Sequence, residues 1–165
     1  MKVILLILSF LLIGCGIQKG AKSFTIVGVP RVHEVSNPVF DEYIAEFESF
    51  GEVKVVDIPI NFGELTGSVV GECRSYVSGK KEIIISREYW NAGHRNNREL
   101  LIMHELGHCA LNRIPHVDDK VGDLDLSIMH DSIINRFRYA DCKAEYMKEL
   151  HYGIREDIIN CLESL

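Results

Sequence analysis

The sequence predicts an α+β domain, and three observations carry that prediction. β-Branched runs flank one amphipathic helical pattern near the start, a hairpin pattern follows, and every strong periodicity after residue 95 is helical. "SFTIVGV" (23–29) reads as the first strand. In "NPVFDEYIAEFESFG" (37–51), Phe40, Tyr43, Ile44 and Phe47 recur at helical spacing, with Pro38 at the start and Gly51 past the end. "EVKVVDIPI" (52–60) reads as a second strand, so β-α-β opens the domain. "VVGECRSYV" and "KEIIIS" flank the turn "SGK" as a hairpin. Its continuously apolar "IIIS" suits a strand covered on both faces, and its mixed "GECRSY" suits an edge. "NNRELLIMHELGHCALN" is a helix with Asn96 as N-cap and Glu99 three residues later. It is apolar nearly all round from Leu100 to Leu111, as a buried helix is. Residues 116–136 read as an acidic loop, and 141–153 and 154–164 as two C-terminal helices.

The first fourteen residues carry a different signal. Lys2 precedes an apolar run from Val3 to Ile13, too short to span a bilayer and laid out like a secretory h-region. "LIGC" at its end resembles the lipobox of bacterial lipoproteins, which implies cleavage before Cys15 and lipidation of that cysteine. The expected organisation is a signal peptide over 1–14, a tether over 15–22 and one domain over 23–165, exported and lipid-anchored to a membrane. The 151 residues that remain suffice for one core. Their formal charge is −7 with no basic cluster, which argues against nucleic acid as a partner. Cys73, Cys109, Cys142 and Cys161 are an even set, so in an exported domain they allow two disulfides in three pairings; buried free thiols are the alternative. We expect Cys142 with Cys161, across two successive helices, and Cys73 with Cys109.

The chemistry is concentrated in "HELGHCALNRIPH" (104–116). His104 and His108 are four apart on a helix and share a face. That spacing lets two imidazoles bind one Zn²⁺, while Glu105 reaches the water in an open coordination position. Exposed polar residues on a helix face are the bland alternative. They fit poorly, because two histidines and a glutamate in a buried helix are costly without a partner. Gly107, inside the helix, is either a tolerated defect or a point where something packs very close, and we expect the second.

With these residues the chain resembles the metzincin branch of the zincin metallopeptidases. His104, Glu105 and His108 match that family's first motif, and "SIMH" (127–130) resembles its methionine turn, with Met129 as the methionine. The resemblance implies a zinc endopeptidase acting on a peptide or protein substrate. His116 would be the third ligand, Glu105 the catalytic base, and Met129 would lie below the metal. It also implies a twisted mixed sheet with an edge hairpin, an active-site helix beneath it and a C-terminal helical subdomain. An extended substrate would lie antiparallel to "GECRSY". Two departures stand out. Leu111 replaces the family's turning glycine, with Asn112 next as the best left-handed substitute, and Asp131 stands where some members carry a tyrosine. Asp118, Asp119, Glu145 and Glu149 compete with His116 as third ligand. The alternative function is a non-catalytic surface lipoprotein with a structural zinc.

Overall fold

The computed structural model describes the backbone of Ala21–Ile26 and the whole of residues 30–165. The signal segment and Cys15 lie outside those residues. β1 (Ala21–Ile26) begins within the segment expected to be tether, and a 3-10 turn at Pro38–Phe40 leads into α1 (Asp41–Phe50). Asn37 caps that turn by accepting from the Val39 amide. β2 (Ile60–Gly63), β3 (Gly71–Tyr76) and β4 (Lys81–Ser86) complete a mixed sheet of order β1-β3-β4-β2. β3 and β4 form the antiparallel hairpin that the sequence predicts, while β1 joins β3, and β2 joins β4, in parallel. Ile83, Ile84 and Ile85 are all buried, as expected of a strand covered on both faces.

Two expectations are corrected here. The second strand forms only at Ile60–Gly63, not over 52–60. In the preceding stretch Val56 is exposed, Asp57 takes a positive φ, and the Val55 amide bonds Glu48 instead of a neighbouring strand. Alternating valines do not make a strand without a partner edge. Nor is "GECRSY" an edge. β1 pairs along it, with Ala21 opposite Gly71, so the sheet ends in β1 and β2 and the opening elements are not a β-α-β unit of adjacent strands. The mixed composition of β3 has another cause. Tyr76 on its outer face donates to the fully buried Glu82. Glu82 also accepts from the His33 amide, and Arg74 pairs with Glu72. A polar network, not solvent, accounts for those residues.

α2 (Arg87–Ala92) precedes α3 (Arg95–Cys109), the helix carrying the motif. Every α3 residue from Glu99 to Cys109 is buried, as its all-round apolarity requires. Its N-cap is His94, not Asn96, and Glu99 is not part of a capping box. Glu99 turns inward to accept from the Tyr139 hydroxyl at 2.7 Å and to pair with Lys143 at 2.8 Å. Burial gave this carboxylate better partners than its own helix end.

The acidic segment contains a small hairpin, β5 (Lys120–Val121) with β6 (Leu124–Asp125). α4 (Arg136–Asp141), α5 (Lys143–Tyr152) and α6 (Glu156–Glu163) follow, one helix more than the sequence reading found. They share one hydrophobic core with α1, α3 and the sheet, through Phe47, Leu106, Tyr146 and Ile158. Both expected disulfides are present, Cys73–Cys109 and Cys142–Cys161. The first ties β3 to the last residue of α3, and closing loops of these lengths restrains the unfolded chain by about 3–4 kcal/mol each.

Candidate metal centre

α3 presents His104 and His108 on one face, and the chain then has to turn sharply for a third residue to meet them. Asn112 makes that turn, with a φ of 54°. The Arg113 amide bonds the Gly107 carbonyl, and Lys81 donates to the Cys109 carbonyl at 2.7 Å and to the Asn112 side chain. A lysine on these last carbonyls opposes the negative end of the helix. The turn sends His116 back, so that its Nε2 lies 3.2 Å from Nε2 of His104 and 3.0 Å from Nε2 of His108. These three histidines form a group that could hold one metal ion.

Hydrogen bonding defines the state of the rings. His104 Nδ1 lies 2.6 Å from the Ile128 carbonyl, and His108 Nδ1 lies 2.6 Å from the Arg113 carbonyl. A carbonyl only accepts, so each Nδ1 carries the proton and each Nε2 presents a lone pair. A single proton on His116 Nε2 can satisfy only one of them. A cation satisfies all three, and tetrahedral ligands about 2.0–2.1 Å from zinc are ~3.3 Å apart, close to the observed separations. Burial pushes the His104 imidazole well below its ordinary range, and neighbouring His108 adds to the effect. Burial likewise lowers His108 to about 4 and depresses His116, against the pull of Asp131 and Asp118. All three are thereby kept in the neutral form that binds metals.

Glu105 is fully buried, and neither carboxylate oxygen has a hydrogen-bond partner among the described residues. Burial raises its pKa well above the ordinary carboxyl range; the charge of Glu72 adds to the rise and the Cys73 amide opposes it. Gly71 on β3 makes room for this side chain, since a Cβ there would lie 2.6 Å from Glu105 Oε1 and 2.7 Å from Leu101 Cδ1. Nothing in the sequence singled out Gly71. The inference about Gly107 holds: a Cβ would run into the Met129 sulfur and come within 2.9 Å of Leu150 Cδ1. Met129, itself fully buried, packs against the helix between the two histidine turns.

The competing carboxylates are engaged elsewhere. Asp119 pairs with Arg155, and Asp118 accepts from the Asp131 amide. Asp118 and Asp131 flank His130 at 3.5 and 3.0 Å. Glu149 is fully buried against Arg113 and Ser127. Sequence spacing could not have paired Glu149 with Arg113, 36 positions away. Comparison with known protein families, with characterised proteins and with solved structures finds no match to this chain.

Proposed function

We propose that the chain is a zinc-dependent peptidase of the zincin type, with His104, His108 and His116 as ligands and Glu105 as general base. The observation that carries this reading is the convergence of three Nε2 lone pairs, two of them from a helix whose Glu105 is a buried, unpartnered carboxyl one residue after His104. Three imidazoles suit zinc, and three protein ligands leave a coordination position open, as in catalytic zinc sites. When bound, zinc supplies a Lewis acid for the scissile carbonyl and lowers the pKa of a water to about 7. Glu105 takes the proton from the attacking water and delivers it to the departing amine nitrogen as the C–N bond breaks. The carbonyls of Ile128 and Arg113 hold the imidazoles in place, and Gly71 leaves the space Glu105 occupies. A module that only bound a partner would gain nothing from a buried, unpaired carboxyl at this point.

The test is a metal assay paired with a peptidase assay on the purified protein. One zinc per chain, and cleavage of unstructured peptides that chelation abolishes and zinc restores, are expected. Cleavage that is indifferent to chelation would overturn the reading, as would a zinc-loaded protein that cleaves no peptide in a diverse library.

We also propose an exported, membrane-anchored protein. Two disulfides support an oxidising compartment, and no helix among the described residues is long and apolar enough to cross a membrane. The anchor would be the lipidated Cys15. Mass spectrometry of the membrane fraction should find Cys15 as a lipid-modified N-terminus; an unmodified Cys15, or a chain starting elsewhere, refutes it.

A further inference from the structure

Two irregular loops hold the histidines in place. The loop after α3 supplies the Arg113 carbonyl that receives His108 Nδ1 at 2.6 Å. The segment after β6 supplies the Ile128 carbonyl that receives His104 Nδ1, also at 2.6 Å. The Met129 carbonyl accepts the Val117 amide at 2.8 Å, next to His116. Neither loop has a regular ladder at these points, so something else has to hold the three carbonyls still.

One side chain touches both loops. Glu149 lies on α5 with no exposed surface, between the buried Met147 and Leu150. Its Oε1 accepts from Arg113 Nη2 at 2.6 Å, and its Oε2 accepts from Ser127 Oγ at 2.7 Å. Arg113 Nη1 meanwhile donates to the carbonyls of Glu149 and Leu150 at 2.8 and 3.1 Å. Ser127 Oγ in turn accepts from the Met129 amide at 3.0 Å. Among the described residues, Arg155 is the other charged group within ion-pair distance of this carboxylate, 3.7 Å from Oε1.

We infer that Glu149 is the positioning residue of the metal centre, aiming His108 through Arg113 and His104 and His116 through Ser127 and the 128–129 backbone. The inference rests on the three-histidine metal site proposed above. The chemistry requires a carboxylate. Ser127 has one hydroxyl proton, and the Met129 amide already points at its oxygen, so that proton must go to an acceptor. Arg113 needs a second acceptor on the same group. A carboxylate offers both, whereas an amide would turn an N–H toward one of the two donors. Outer partners of this kind orient metal-bound imidazoles and tune their basicity.

Zinc affinity of the full chain, measured by competition with a chromophoric chelator, and the visible spectrum of the cobalt-loaded protein test the role. Glu149→Gln and Ser127→Ala are expected to lose about 10- to 100-fold in zinc affinity and to alter the cobalt bands. Tyr139→Phe, which removes a buried bond to Glu99 that involves neither loop, should lower the melting temperature and leave both readouts unchanged. If Glu149→Gln does not fold, Ser127→Ala carries the test, since it deletes a single hydroxyl. Wild-type zinc affinity and cobalt spectrum in Ser127→Ala overturn the positioning role while leaving the metal site intact. An equal loss in Tyr139→Phe overturns it too, as general destabilisation. A wild-type protein that binds no zinc removes the metal site itself, and this role with it.

Discussion

Glu105→Gln is expected to cut peptide hydrolysis by about 10²- to 10⁴-fold, the usual contribution of a general base, while one zinc per chain is retained. Glutamine keeps the size and shape of the side chain, so Gly71 and Leu101 still enclose it. It cannot take a proton from water. The metal-free variant should melt no lower than the parent, because the buried carboxyl gives up no hydrogen bond when it becomes an amide. Side-by-side measurement of turnover, zinc content and melting temperature decides the matter. Unchanged turnover would falsify the catalytic assignment of Glu105. A loss of zinc equal to the loss of activity would make Glu105 a ligand instead of a base.

His116→Ala is expected to weaken zinc binding by about a hundredfold. Closed four-ligand sites bind with about 10–16 kcal/mol, hence roughly 3 kcal/mol per ligand, and 1.4 kcal/mol is tenfold. The geometry is specific on this point. His116 Nε2 is the atom within 3.2 Å of both other imidazole nitrogens, while Asp118 and Asp119 are held by the Asp131 amide and by Arg155. Asp118→Asn and Asp119→Asn should therefore bind zinc within a few-fold of the parent. A chelator titration in which one of these aspartate variants loses the metal, and His116→Ala keeps it, would overturn the ligand set.

Much of the candidate site was legible because it is local. His104, Glu105 and His108 lie within two helical turns, and helix geometry alone puts the histidines on one face. Asn112 was legible as the turning residue because few side chains tolerate positive φ. Gly107 was legible as a close-packing point because an interior glycine weakens a helix. The hairpin at 71–86 and the burial of α3 also followed from periodicity. By contrast, the strand expected over 52–60 failed over most of its length because β propensity counts only beside a partner edge, and pairing with β4 begins only at the Pro59 carbonyl. Glu99 read as a capping residue because the local pattern fits a capping box, but a buried tyrosine and a lysine from two later helices bind it instead.

The sequence by itself determined which side chains can bind a metal and that the chain turns at Asn112, three residues beyond the helix that presents two of them. Those are properties of side-chain chemistry and of backbone torsions over a few residues. Only the tertiary structure decided the rest. It placed β1 against β3 where an open edge was expected, chose Met129 as the residue packed on Gly107, and set Gly71 beside Glu105. It also buried Glu149 between two loops whose key residues, Arg113 and Ser127, lie 36 and 22 positions away. No local periodicity encodes such pairings. They arise because a buried carboxylate must find donors, and which donors reach it depends on how the whole chain packs.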